Sequence, residues 1–340
     1  MASNELLLAL ARCEFLSWRE KAFFAKNLDN LESLTVLSIE DICLAAGRHI
    51  KTRCWQPESL ADLVDRDLET MQKYGIRFVT FSSPEYPPLL REIHDPPFSV
   101  FYRGTLPDPE KPLAAIVGTR SPSGDGALTA ARIAREFGEA GIAVVSGLAR
   151  GIDAFAHRGN VDGSGASVGV LACGVERIYP RSNAVLAARM IGSGGCLLSE
   201  YPPGELPFPY RFPARNRIVS GLSRAVIVVE APEKSGALIT ADFALEQGRD
   251  LFVCRDTLGS ARGAGSRTLY NDGAQAISAA CEVLSGWGLT SPSREIGLQD
   301  VPAQPSAPKE SVPRGSATGR QLAFEFREEL SRAEKKLRWI

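Results

Sequence analysis

The chain is poor in the residues around which most metal, redox and membrane chemistry is built. It holds three histidines, His49, His94 and His157, and seven cysteines with no Cys-x-x-Cys pair, so a zinc site is not expected. Scattered cysteines in odd number read as reduced thiols, which points to the cytoplasm. No run reaches about eighteen apolar residues, which argues against a membrane-spanning helix. The opening Met-Ala-Ser-Asn-Glu lacks the basic stretch of a signal peptide. No Walker Gly-x-x-x-x-Gly-Lys-Ser/Thr pattern occurs, and Gly124-Asp125-Gly126 is followed by Ala-Leu-Thr, so the third glycine of a dinucleotide fingerprint is missing. Ser146-Gly147 lacks the upstream glycine of a nucleophile elbow. These absences predict no cofactor, no metal and no catalytic residue.

Lysine is scarce where it matters. Residues 111–286 contain 18 cations, of which only Lys111 and Lys234 are lysines. Arginine suits bidentate contact with phosphate and stacking on bases, although plain surface ion pairing has the same composition. The formal net charge of −1 is unevenly laid out. Lys and Arg number 12 against 17 acids in residues 1–110, 18 against 16 in 111–286 and 9 against 7 in 287–340. Within residues 211–224 stand Arg211, Arg215, Asn216, Arg217 and Arg224, and no carboxylate interrupts them. A buried cation needs an anionic partner, so these arginines either pair with distant acids or face an external anion such as nucleic acid.

Four regions follow from patterning. Residues 1–70 carry helical spacing at Leu6, Leu7, Leu10 and Phe15 and again at Leu31, Leu34 and Leu37, and predict a small all-helical domain. With nothing basic about it, a protein-interaction or structural role is favoured. Residues 71–286 form a second domain. Its start holds two short strands around Ile76–Phe81 and Phe98–Tyr102 with a proline-rich connector. From 113 on, apolar runs at 113–117, 142–145, 167–172, 196–198, 225–229 and 251–254 alternate with helices such as 127–140 and 182–191. Strand, helix, strand at this spacing predicts an α/β fold with a doubly wound parallel sheet. Residues 287–320 read as a Pro/Ser/Gly-rich flexible linker, and 321–340 as one short charged helix.

Ligands of such sheets bind at the carboxyl ends of the strands, where helix N-termini present free amides. Three strand ends here carry a glycine turn: Gly118-Thr119-Arg120, Ser146-Gly147 with Arg150, and the turn at Gly174 that precedes Tyr179-Pro180-Arg181. Ser235-Gly236 opens a further helix; Ser235 either holds phosphate or is a simple cap. One repeated feature along one edge, with arginines beside it, describes a phosphate-binding crest without a standard cofactor code. Phe208, Tyr210 and Phe212 interleave with Arg211 as stacking surfaces. Glu200 and Glu230 stand at strand ends, either as acid and base or as partners of Arg215 and Arg217. Asp153 and His157, four residues apart, are expected to pair and close a helix start.

The ordered motifs resemble a known family. They are Val117-Gly118-Thr119-Arg120, Ser146-Gly147-Leu148-Ala149-Arg150-Gly151-Ile152-Asp153-x-x-Ala156-His157, Tyr179-Pro180-x-x-Asn183, Ser199-Glu200-Tyr201-Pro202-x-Gly204, Phe212-Pro213-Ala214-Arg215-Asn216-Arg217-Ile218, Val229-Glu230-Ala231, Ser235-Gly236-x-Leu238-Ile239-Thr240 and Glu246-x-Gly248-Arg249. Over roughly residues 75–285 they resemble the DprA/Smf family, the DNA-processing protein A of bacteria. The resemblance implies an extended Rossmann-like domain that binds single-stranded DNA without catalytic turnover. It also implies a homodimer that protects incoming strands in natural transformation and loads RecA onto them against single-strand-binding protein. The pocket arginine maps to Arg120 and the basic residue after Tyr-Pro to Arg181; Ser146, Gly147, Asn216, Arg217 and Ser235 fall on other pocket motifs. The N-terminal helices are similar to the sterile-alpha-motif-like or helix-hairpin-helix extension of many members. The C-terminal segment departs from the longer members, since about twenty residues are too few for their winged helix. The competing reading is a nucleotide-processing hydrolase of the phosphoribohydrolase type, whose Pro-Gly-Gly-x-Gly-Thr-x-x-Glu motif is not matched by 235–240. A nucleotide-sensing module that signals through the helical domain is a third.

Overall fold

The six short apolar runs between turns all become strands; five are buried on both faces, which is how parallel strands covered by helices read in sequence, and the one at 250–254 is buried only at its end. The computed structural model describes residues 2–51 and 55–289. Five helices come first: α1 (Asn4–Arg12), α2 (Trp18–Asn27), α3 (Leu31–Thr35), α4 (Ile39–Ala46) and α5 (Pro57–Tyr74). The α/β part follows as β1 (Arg77–Thr80), α6 (Pro88–Arg91), β2 (Ser99–Gly104), β3 (Ala114–Val117), α7 (Gly124–Glu139), β4 (Val144–Ser146), α8 (Ile152–Asp162), β5 (Val168–Leu171), α9 (Ala184–Gly192) and β6 (Cys196–Ser199). It ends with α10 (Arg211–Gly221), β7 (Ala225–Val228), α11 (Gly236–Glu246), β8 (Asp250–Cys254), α12 (Ala264–Asn271), β9 (Gln275–Ile277) and α13 (Ala280–Gly286).

The strands form one nine-stranded sheet in the order β1-β2-β6-β5-β4-β3-β7-β8-β9. β6 through β9 in that order run parallel, and β1 and β2 add an antiparallel edge beside β6. The chain winds from β3 outward to β6, then returns to the far side of β3 with β7. The switch point therefore lies between β3 and β7, where Ala114 stands opposite Ala225 and Val117 opposite Val228. Doubly wound sheets hold ligands at that crevice.

Buried clusters fill both faces of the sheet. Val145, Val170, Leu198, Val226 and Val228 pack toward α10 and α11, while Ile116, Val144 and Ile227 pack toward Ile133, Phe137 and Ile152 of α7 and α8. α7 and α8 pack closely because small residues line their contact. A Cβ on Gly159 would overlap the carbonyl of Ala131, and one on Gly163 that of Arg135. Beside them Asn160 is wholly buried; its amide donates to the carbonyls of Ala134 (3.1 Å) and Ile142 (3.0 Å) and its carbonyl accepts from the Val144 amide at 3.2 Å. One side chain thus ties α7, α8 and β4 together, as a buried amide must with all its groups engaged.

The N-terminal helices carry strong start signals. Ser17 with Glu20 and Ser38 with Asp41 form capping boxes on α2 and α4. Their apolar faces build a third cluster in which Leu6, Leu10, Leu34 and Val64 meet Phe98 and Phe101 of the α/β part. Charges fix the same junction: the half-buried Arg12 pairs with Asp67 at 2.5 Å and with Glu205 at 2.7 Å. From residue 290 onward the expected linker and terminal helix lie outside the described residues. Among the described residues no helix is long and apolar enough to cross a membrane, and no cluster of His, Cys, Asp or Glu could hold a metal ion.

The helix contact yields a test. Gly159→Ala puts a methyl against the Ala131 carbonyl, and overpacking of this kind destabilises by about 1–3 kcal/mol. Thermal unfolding of the variant should show a lowered midpoint, whereas Gly192→Ala, where a Cβ meets nothing within 4 Å, should not.

Candidate nucleic-acid interface

The loops that follow β3, β4, β5 and β7 converge above the switch point, and each is held from below. After β3, a side chain at Gly118 would strike Ile152 and the Glu230 carbonyl, so glycine is required there. The Thr119 amide donates to the Glu230 carbonyl (2.7 Å) and its own carbonyl accepts from the Ile152 amide (3.1 Å). This leaves Arg120 exposed, with its guanidinium 5.6 Å from the Phe212 ring.

After β4, the Asp153 carboxylate at the start of α8 accepts from the amides of Gly147 (3.1 Å) and Ala149 (3.3 Å). Asn183 closes the turn from above, donating to the carbonyls of Leu148 (2.9 Å) and Ala149 (3.1 Å). Arg150 points outward. After β5, Tyr179 and Arg181 are exposed, and Tyr179 packs on Phe212 with ring centroids 5.6 Å apart. Gly236 lies exposed at the far rim and its carbonyl accepts from Asn216 at 3.1 Å.

Two adjoining cavities result. One, of about 880 Å³, is lined by Arg120, Arg150, Arg177, Arg181 and Arg215 together with Tyr179, Phe212 and Gly147, and no carboxylate is among its lining residues. The other, of about 650 Å³, holds Gly118, Thr119, Asn216, Ser235, Gly236 and Lys234 and shares Arg120, Tyr179, Phe212 and Arg215 with the first. Together they form a groove across the carboxyl ends of the strands.

Arg215 forms the floor. It is 6% exposed, and its guanidinium lies so close over Gly147 that any side chain there would overlap it. Among the described residues it makes no salt bridge within 4.0 Å, and its Nε has no hydrogen-bond partner. Burial pulls this guanidinium below the ordinary arginine range; Asp153 opposes the shift and Arg120 adds to it. Burial likewise raises the Asp153 carboxyl, against the pull of Arg215 and the two amides. A cation so placed is the group an anion in the groove would satisfy.

This geometry decides between readings that the sequence left open and corrects the expected Asp153–His157 pair. The cations of 211–224 are not one exposed set, because α10 carries them to different sides. Arg211 is buried against Glu14 (2.9 Å) and Glu205 (2.7 Å), and Arg217 binds Glu200 at 2.6 and 3.0 Å and Asp95 at 3.2 Å. Arg217 therefore has a structural partner, and Arg224 packs on Trp287. Ser146 lies beneath the groove, where its hydroxyl donates to the Ile116 carbonyl at 2.6 Å. Ser235 caps α11 through the Ala237 amide at 3.3 Å. Glu230 neutralises no arginine; its carboxylate accepts from the Ser123 amide (2.7 Å) and the Ser260 hydroxyl. Asp153 and His157 do not pair, since His157 Nδ1 meets Ser167 Oγ at 2.7 Å. Nothing in the sequence pattern singles out Arg177, or Arg262, whose guanidinium donates to the carbonyls of Ser121 and Pro122 beside Arg120.

Residues 77–288 match the family described as DNA recombination-mediator protein A. The chain is 42% identical over 225 residues to the protein Smf of Synechocystis, a match that covers 65% of this chain and 56% of that protein. It thus spans little more than half the length of that curated relative. The X-ray structure of DNA processing protein A from Streptococcus pneumoniae superposes with a TM-score of 0.66 at 29% identity, over 84% of this chain and 98% of that one. A second structure, of DNA processing protein A from Helicobacter pylori, concerns that protein's single-stranded DNA binding mode. It superposes with a TM-score of 0.54 at 29% identity, over 62% of this chain and 95% of that one.

The buried histidine beneath the groove makes acid stability a probe of this region. Burial, with repulsion from Arg215, pulls His157 from its ordinary 6.5 down to about 3, partly offset by the Ser146 backbone. The unfolded chain takes up this proton as pH falls through 6.5, while the folded chain does so only near 3. Its contribution is therefore fully present above pH 6.5 and is lost as pH falls toward 3, by up to about 1.4 kcal/mol per pH unit. Urea unfolding across that range should show a shallower pH slope for His157→Gln than for the natural chain.

Proposed function

The chain belongs to the DNA recombination-mediator protein A family, and on that premise we propose that it binds single-stranded DNA in the groove at the carboxyl ends of its strands. The observation that carries this reading is the larger cavity: five arginines and two aromatic rings share one surface that no carboxylate enters. Cationic groups track a phosphate backbone, and aromatic faces stack bases without reading their sequence. Arg120, Arg150, Arg177 and Arg181 contact phosphates along the rim, and Arg215 draws the strand toward the floor. Tyr179 and Phe212, packed on each other beside Arg120, offer a ring face on which a base stacks. Gly118, Thr119, Asn216 and Gly236 shape the second half of the groove; Ser146, Gly147, Arg217 and Ser235 hold its frame.

In the wider role, the chain acts as a recombination mediator in the cytoplasm. It protects incoming single strands in natural transformation and, as a homodimer, loads RecA onto them in exchange for single-strand-binding protein. Binding is favoured over a phosphoribohydrolase reaction because the arginine-lined cavity presents no acid–base pair, and the carboxylate of Asp153 next to it is engaged by two amides.

Fluorescence anisotropy of a labelled single-stranded oligonucleotide, at several salt concentrations and with duplex as competitor, tests the reading. Each phosphate neutralised on a single strand contributes a slope of about −0.7 in log K against log salt. Arg120→Glu with Arg181→Glu should weaken binding by tenfold or more and flatten the slope by about 1.4, the share of two phosphate contacts. Unchanged affinity and slope in the folded double variant would remove the groove from the account.

A further inference from the structure

The segment that leads into the first turn of α10 has two sides. Pro207 and Phe212 line the arginine groove, and Pro209 its second half, whereas Phe208, Tyr210 and Arg211 line a separate cavity of about 580 Å³. The far wall of that cavity belongs to the N-terminal helical region, which contributes Phe15, Trp55 and Gln56. The segment is therefore a ridge between two depressions, and the strand proposed to occupy the first has only this ridge to cross to reach the second.

The second cavity has the wrong electrostatics for phosphate. Its charged lining residues are Arg12, Arg211, Glu14 and Glu205, which cancel. Both guanidiniums are engaged, Arg12 by Asp67 and Glu205 and Arg211 by Glu14 and Glu205. What remains is uncharged: the aromatic rings, Leu60 and Leu63, and the polar Gln56 and Ser59. Phe208 and Tyr210 stack with centroids 5.9 Å apart and planes 7° from parallel, and they are 42% and 64% exposed. The Arg211 guanidinium lies over both rings, 5.1 Å from Phe208 and 5.7 Å from Tyr210, which holds them in place. Phe15 and Trp55 meet edge to face at 6.1 Å on the helical side. Exposed aromatic rings fixed in this way are costly to leave in water and offer flat faces to a flat apolar ligand.

We propose that this cavity is a second nucleotide subsite, which takes one unstacked base of the same single strand, with Tyr210 and Phe208 as its platform and Gln56 positioned for the base edge. The proposal rests on the single-strand reading above. It gives the N-terminal helices a part in nucleic-acid contact in spite of their acidic balance, because a base, unlike a phosphate, brings no charge. The occupant is nucleic acid rather than a protein segment because Phe208 and Tyr210 alternate along one segment with Pro207, Pro209 and Phe212, so that the two cavities lie on opposite sides of one wall.

Walking a single abasic site along the shortest oligonucleotide that still binds at full strength, so that the register cannot shift, tests this with the full chain. The natural protein should show two sensitive positions, one for the base at Tyr179 and Phe212 and one for the base at Phe208 and Tyr210. Each should weaken binding by about tenfold, within the range for loss of one base–aromatic stack. In Phe208→Ala with Tyr210→Ala the second sensitive position should vanish and the first persist. Tyr210→Ala alone, at the more exposed ring, should reduce it in part and guards against disturbance of Arg211. An abasic pattern identical in the natural protein and the variants overturns the second subsite and leaves the groove standing. Failure of the natural protein to bind any single strand overturns both. Full-strength binding by the variants together with loss of a bound protein partner assigns the cavity to protein docking and also overturns the proposal.

Discussion

The groove depends on a charge pair that does not close. Asp153 and Arg215 sit beneath the ends of β3 and β4, both largely removed from water, without a salt-bridge contact between them. Asp153 gives its oxygen to the amides of Gly147 and Ala149 and so fixes the turn into α8. Arg215 is left facing outward over Gly147, where only a hydrogen side chain leaves room for it. A buried cation with an incomplete set of partners is unfavourable in isolation. An anion entering the groove would supply its missing partner. The motif residues around it serve that arrangement: Gly118 lets β3 and α8 approach, Asn183 closes the β4 turn, and Ser146 ties β4 to β3.

Arginine is used in two ways, and burial separates them. Arg12, Arg211 and Arg217 are each held by carboxylates and join distant parts of the chain, α1 to α5, the 205 loop to the helical region, α10 to the end of β6. Arg120, Arg150 and Arg181 stand exposed at the rim. This division explains how a chain with a formal net charge of −1 presents a strongly cationic surface. The acids gather on the structural arginines and stay out of the larger cavity, so the potential is local.

The loop at 205–212 couples these two uses. Glu205 anchors it through Arg12 and Arg211, and the anchored loop carries Phe212 to one side and Phe208 with Tyr210 to the other. The helical region is thus fastened to the same segment that shapes the groove.

The sequence by itself determined the sheet and the glycine turns at the carboxyl ends of its strands. Apolar runs with glycine turns specify buried parallel strands, and the ordered motifs placed Arg120 and Arg181 at their carboxyl ends; both are rim residues of the cavity. It also carried the N-terminal helices, whose Ser17–Glu20 and Ser38–Asp41 boxes are local signals. It did not determine which arginine of 211–224 is free. The partners Glu14, Asp95, Glu200 and Glu205 are distant in the chain from the cations they hold, and no local pattern encodes such pairing. For the same reason Asp153 looked like a partner of His157, four residues on, when the amides of Gly147 and Ala149 claim it. Only the tertiary structure decided these allocations, because ionic partnership depends on burial and distance in space, whereas strand and cap formation depend on neighbours along the chain.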